Sequence, residues 1–174
     1  GGDNAGHTVV TGGEVFKLHL VPSGVLYPHI TSVIGNGVVV NPATLISELD
    51  MLTARGIDVS RVRVSRSAHV IMPYHVALDR GNEARLAGAK VGTTGRGIGP
   101  AYGDRAWRLG LRMEDLLDHV VLRDRLERVV PDKNLVLAGM GVDGFSVDAL
   151  VEQAAAWGER LAAHLDDSTW LVQA

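Results

Sequence analysis

The sequence contains no cysteine, which excludes disulfides and thiolate metal centres outright. That fits a reducing cytoplasm, as it equally fits the many secreted proteins that lack cysteine. No apolar run approaches the roughly 18–20 residues needed to span a bilayer as a helix. Basic excess is also missing: 17 Lys and Arg stand against 20 Asp and Glu, a formal charge of -3, so neither nucleic acid nor an anionic membrane surface is expected as a partner. The first residues, Gly1-Gly2-Asp3-Asn4, carry no basic or apolar leader pattern and no initiator Met. No His-Glu-x-x-His pair, Gly-x-Ser-x-Gly elbow or Gly-Lys-Ser/Thr phosphate loop is present.

What remains is an ordinary globular composition of 174 residues, 46% apolar, with 21 glycines concentrated in short clusters. His7-Thr8-Val9-Val10 and Val15 to Val21 read as strands joined by turn residues Thr11 to Glu14. Ser32 to Val40 reads as one buried strand bent or bulged at Gly35-Asn36-Gly37. Asn41-Pro42 is an N-cap and first-turn proline for a helix presenting Leu45, Ile46, Leu49 and Leu52, closed by Gly56. Arg61 to Ser65 alternates as a strand, and a second helix is expected within Tyr74 to Leu86. Residues 88–104 form a glycine-rich stretch; beyond it helices are expected over Met113–His119, Val121–Val129 and Ser146–Leu165. The expectation is one partial α/β domain over 1–174, with a sheet-rich part at 1–104 and a mainly helical part at 105–174.

Three clusters can carry chemistry. Gly1 to Thr8 offers bare backbone amides, the Asn4 amide and the His7 ring, a set that suits a transferring phosphoryl group or a glycine turn with a surface histidine. Val91 to Pro100 places Thr93, Thr94 and Arg96 among glycines, which suits an anion site or a flexible loop. Arg105, Arg108 and Arg112 could meet a phosphate, or form a solvated face paired with Asp104 and Glu114. His75, in Met72-Pro73-Tyr74-His75, reads as a packed, hydrogen-bonded residue, and no other histidine has a metal-spacing partner.

Asn4-Ala5-Gly6-His7-Thr8, Leu20 to Gly24, Ile34 to Pro42, Met72 to His75 and Gly92 to Tyr102, in that order, resemble the adenylosuccinate synthetase family. In the last third the match is mostly helical pattern. The resemblance implies a P-loop-NTPase-like sheet core, incomplete here, and a two-step ligation. GTP phosphorylates the 6-oxygen of IMP; the amine of L-aspartate then displaces that phosphate, giving adenylosuccinate, GDP and phosphate in the AMP branch of purine biosynthesis. It implies His7 as catalytic residue, IMP contacts at Asn4, Ala5, Gly6, His7 and Thr94, and GTP contacts at Gly6, His7 and Thr8. It further implies Mg²⁺ ligation by the Gly6 carbonyl, Arg108 reaching the partner's IMP site in a cytoplasmic homodimer, and Arg96 on the aspartate side. The family's Gly-Asp-Glu-Gly-Lys-Gly-Lys loop, its Gly-Gln-Gly-Thr segment, its arginine loop and its guanine-reading segment are not in this sequence, so the isolated polypeptide is expected not to turn over. The competing expectation is a non-catalytic nucleotide-binding or dimerisation module of the same descent.

Overall fold

The computed structural model describes residues 1–86 and 92–168; residues 87–91 and 169–174 lie outside them. Strands β1 (His7–Thr11) and β2 (Glu14–Leu18) form the expected antiparallel hairpin. Its turn needs positive φ at both central positions, and Gly12 (57°) and Gly13 (80°) supply it at no steric cost. Phe16 and Leu18 point inward. The Arg55 guanidinium lies 3.7 Å above the Phe16 ring and donates to the Val15 carbonyl at 2.9 Å, fastening the hairpin to the following helix.

The expected single strand over Ser32–Val40 is two strands in two sheets. β3 (Ser32–Ile34) and β4 (Val39–Val40) are separated by a turn in which the Val38 amide donates to the Gly35 carbonyl at 3.2 Å. The second crossing repeats the break: β5 (Val62–Ser65) runs parallel to β3, and β6 (His69–Val70) parallel to β4. The Gly-Asn-Gly bend is therefore a change of partner, stronger than a bulge.

α1 (Pro42–Ala54) links the crossings, with the Asn41 side chain accepting from the Thr44 amide at 3.3 Å. α2 (Pro73–Leu86) follows β6. The glycine-rich stretch then yields a helix, α3 (Ile98–Trp107), which runs across residue 104. Pro100 falls in its first turn, where a missing N–H costs nothing. Met113–Leu117 is a 3₁₀ turn rather than an α-helix. α4 (His119–Gly139) is capped by Asp118 and continues ten residues past the expected Val129. α5 (Val147–Leu161) starts at its Ser146 cap and stops four residues before Leu165, which instead opens β7 (Leu165–Asp166), parallel to β5.

One apolar core takes Phe16 and Leu18 from the hairpin, Leu45 and Leu52 from α1, Leu122 and Leu126 from α4, and Leu161 from α5. α5 rests on the 3₁₀ turn at Gly158, where a Cβ would sit 2.2 Å from the Leu116 carbonyl oxygen, so only glycine permits that approach. No helix among the described residues is long and apolar enough to cross a membrane.

Candidate functional site

The two glycine-rich segments meet. The Gly1 carbonyl accepts from the Val39 amide at 3.1 Å, which lays the first segment along β4. Gly2 has no room for a side chain, since a Cβ would lie 2.5 Å from Ile98 and 2.8 Å from the Val39 carbonyl. Asp3 is buried; its Oδ2 accepts from Thr44 Oγ1 at 3.0 Å and from Asn41 Nδ2 at 3.3 Å. Arg96, from the second segment, donates to the Asp3 carbonyl at 2.6 Å. Arg96 thus ties together chain stretches more than ninety residues apart.

Each segment is held in shape from one side. α2 fixes the second: Asp79 accepts the Gly97 amide at 2.9 Å, and Arg80 donates to the Gly95 carbonyl at 3.2 Å. Gly92, Gly95 and Gly97 all have positive φ, and a Cβ on Gly97 would sit 2.8 Å from the α2 backbone. α1 fixes the chain that follows the hairpin: Glu48, itself buried, accepts the amides of His19, Leu20 and Val21 at 2.5, 3.0 and 2.9 Å. The His19 ring packs against Gly6. Lys17, His19, Thr44, Glu48 and Arg96 line a cleft of about 520 Å³ beside this junction.

Asn4, Ala5, Gly6, Thr8 and Thr94 are exposed, and His7 is half-buried. Two polar atoms here are shielded from solvent yet lack a partner among the described residues: His7 Nε2 and Asp3 Oδ1. Leaving such atoms unpaired costs on the order of 1–3 kcal/mol each, a deficit a bound ligand removes.

Arg108 and Arg112 are exposed and Arg105 is half-buried. They line one cleft of about 520 Å³ with His69, Arg125, Asn36, Ser67 and Gly110. Arg108 is the sole described non-glycine residue with positive φ (61°), a left-handed end to α3 that turns the chain back. Arg112 pairs with Glu114 at 3.5 Å as expected, but Asp104 faces inward. Its carboxylate meets His75 Nε2 at 2.9 Å and the Lys133 ammonium, while its carbonyl accepts the Leu109 amide at 2.8 Å. His75 is packed and hydrogen-bonded as expected. Its Nδ1 accepts from the Met72 amide at 2.9 Å, so the ring is the neutral Nε2–H tautomer. Burial pushes the His75 pKa down, against the opposing pull of Asp104. Burial alone would raise Asp104, but the hydrogen bonds from His75 and Lys133 outweigh it and hold the carboxyl below the usual range.

Sequence reasoning missed Asp3 as a tie, the Glu48 clamp, and His69 and Arg125 as cleft walls. Asp3 lay inside a motif already singled out; Arg125 had no local signal. Among the described residues no group of three or more acidic or histidine side chains could hold a metal ion.

The adenylosuccinate synthetase family model matches residues 1–174. The chain is similar to the adenylosuccinate synthetase of Parafrankia sp., 53% identical over 173 residues, and to that of Heliobacterium modesticaldum, 52% identical over 173 residues. Each match takes in 99% of this chain and 40% of the relative. The solved structure of fully ligated adenylosuccinate synthetase from Plasmodium falciparum superposes with a TM-score of 0.86 at 26% identity, over 99% of this chain and 40% of that one. The chain thus spans about 40% of the length of the relatives it matches. Agreement of family model, sequence relatives and fold along the chain shows that it belongs to the adenylosuccinate synthetase family.

Proposed function

We propose that this chain supplies one wall of the active site of an adenylosuccinate synthase, the ligase that joins IMP to L-aspartate at the expense of GTP in purine biosynthesis, in the cytoplasm. The observation carrying this reading is the Arg96–Asp3 tie, which sets the exposed Asn4–Gly6 backbone and the half-buried His7 beside the Thr94 loop.

In this reading Asn4, Ala5, Gly6, His7 and Thr94 hold IMP, and Gly6, His7 and Thr8 face the phosphates of GTP. The γ-phosphoryl group moves to the 6-oxygen of IMP, releasing GDP. The His7 ring, with Nε2 unpaired among the described residues, steadies the charge that develops on the transferring group. The aspartate amine then attacks C6, and the C–O bond breaks with phosphate as leaving group. Arg96 lies toward the aspartate side. Mg²⁺, when bound, neutralises phosphate charge; the Gly6 carbonyl is a hard oxygen donor of the kind it prefers and is the single ligand assigned here to this chain. Arg108 reaches a partner's IMP site in a homodimer. A groove of about 540 Å³ beside Arg108, walled by Leu109, Val120, Val121 and Val129 with Asp124, Arg125 and Arg128, and the 79% exposure of both Trp107 and Val120 support a protein contact there.

The test is a graft. Replacing the matching 173 residues of the Parafrankia synthetase with this chain is expected to give an enzyme that forms adenylosuccinate from IMP, GTP and aspartate. A folded graft that binds IMP without turnover favours the non-catalytic module instead.

A further inference from the structure

Asp79, Arg80 and Glu83 fall on one face of α2, at the i, i+3 and i, i+4 spacings that make helical neighbours. Each bonds the backbone of the second glycine segment. Asp79 accepts the Gly97 amide at 2.9 Å, Arg80 Nε donates to the Gly95 carbonyl at 3.2 Å, and Glu83 accepts the Gly92 amide at 3.3 Å. The segment therefore runs antiparallel to α2, descending from Gly97 to Gly92 as the helix climbs from Asp79 to Glu83. Within the segment the Gly95 amide donates to Thr93 Oγ1 at 3.4 Å. Its backbone is held at three rungs, with Thr94 exposed between them.

The rungs differ in burial. Asp79 is buried, and a Cβ on Gly97 would stand 2.8 Å from the α2 backbone, so this rung belongs to the packing of α3 on α2. Arg80 is exposed and Glu83 half-buried, so their polar ends can be removed without opening the core. What they restrain is a segment with positive φ at Gly92, Gly95 and Gly97, and glycine loses more freedom on ordering than any other residue. Left free, such a segment is ordered by its ligand at a cost in affinity; ordered on folding, it carries no such cost at the moment of binding.

We propose that Arg80 and Glu83 are positioning residues: they hold Gly92–Gly97, before the nucleotide arrives, in the shape that presents Thr94 to the nucleotide phosphate, and so set the affinity for IMP. This rests on the assignment of Thr94 to IMP. Charge separates bracing from plain electrostatics. Glu83 is an anion bonded to an anion-binding segment, so by charge alone its removal strengthens phosphate binding. Bracing requires the opposite sign.

The experiment uses the ¹⁵N-labelled 174-residue chain, read first without ligand and then titrated with IMP. In the parent the Gly92, Gly95 and Gly97 amides are expected to be as ordered as α2, with order parameters of about 0.85. In Glu83→Ala those of Gly92 to Gly95 are expected to fall below about 0.6 while α2 and α3 keep theirs, and IMP is expected to bind about tenfold more weakly. Glu83→Gln keeps an oxygen that can accept the Gly92 amide and is expected to restore both order and affinity. Arg80→Ala is expected to loosen Gly95 and weaken IMP as well. A segment already loose in the parent, or a Glu83→Ala variant that stays ordered or binds IMP as tightly as the parent or tighter, overturns the bracing alone. A parent that orders the segment yet binds no IMP overturns the Thr94 assignment, and the proposal with it.

Discussion

His7→Ala, placed in the grafted synthetase, is expected to lower kcat by roughly 10²–10³ while the protein folds and binds IMP within a few-fold of the parent. The expectation follows from position. His7 opens β1 immediately after the glycine segment, half-buried, with Nε2 closed off from solvent and unpaired among the described residues. Truncating it removes an electrostatic contact that strengthens as phosphoryl charge develops, and it removes no core contact. A steady-state comparison of kcat and KM checks this. A change confined to KM would make His7 a binding residue only.

The second large effect is on stability. Asp104→Ala is expected to destabilise the chain by about 3 kcal/mol, because it strands a Lys133 ammonium and a buried His75 N–H together. Asp104→Asn keeps an acceptor for His75 but loses the charge opposite Lys133, and so falls between the two. Denaturant midpoints at neutral pH measure the difference. The pH dependence has a definite sign. Both His75 and Asp104 have depressed folded-state pKa values, so each contributes stability that is present above its unfolded value and lost on acidification. The loss begins near pH 6.5 for His75 and near pH 4 for Asp104, their ordinary values. The Asp104 main-chain carbonyl, which accepts the Leu109 amide in the turn that sets Arg108, is kept in both variants.

Local chemistry was legible in the sequence; partner choice was not. The hairpin followed from Gly12-Gly13 between alternating strands, and the α1 start from Asn41-Pro42, since both depend on neighbours in the chain. The division of Ser32–Val40 depends on which strands lie beside it, and a Gly-Asn-Gly bend reads alike as a bulge or a change of sheet. β7 was hidden because Leu161 and Leu165 continue the helical spacing of α5, and only pairing with β5 marks the exit. α3 was hidden by its glycines, although Gly97 before it and Pro100 within its first turn are ordinary helix-start signals. At the site, the glycine segments and Arg96 stood out by residue type. That Arg96 would serve a backbone carbonyl of the first segment, and that Arg125 would join three arginines from the other side of a cleft, are tertiary facts without a local signature.

Titrating the ¹⁵N-labelled chain with IMP and following its backbone amides tests most directly whether the two glycine segments form one nucleotide site. Concerted, saturable shifts across Asn4–Thr8 and Thr93–Gly97, with one shared dissociation constant, are the expected result. Shifts in one segment alone, or only at Arg105, Arg112 and His69, would contradict it.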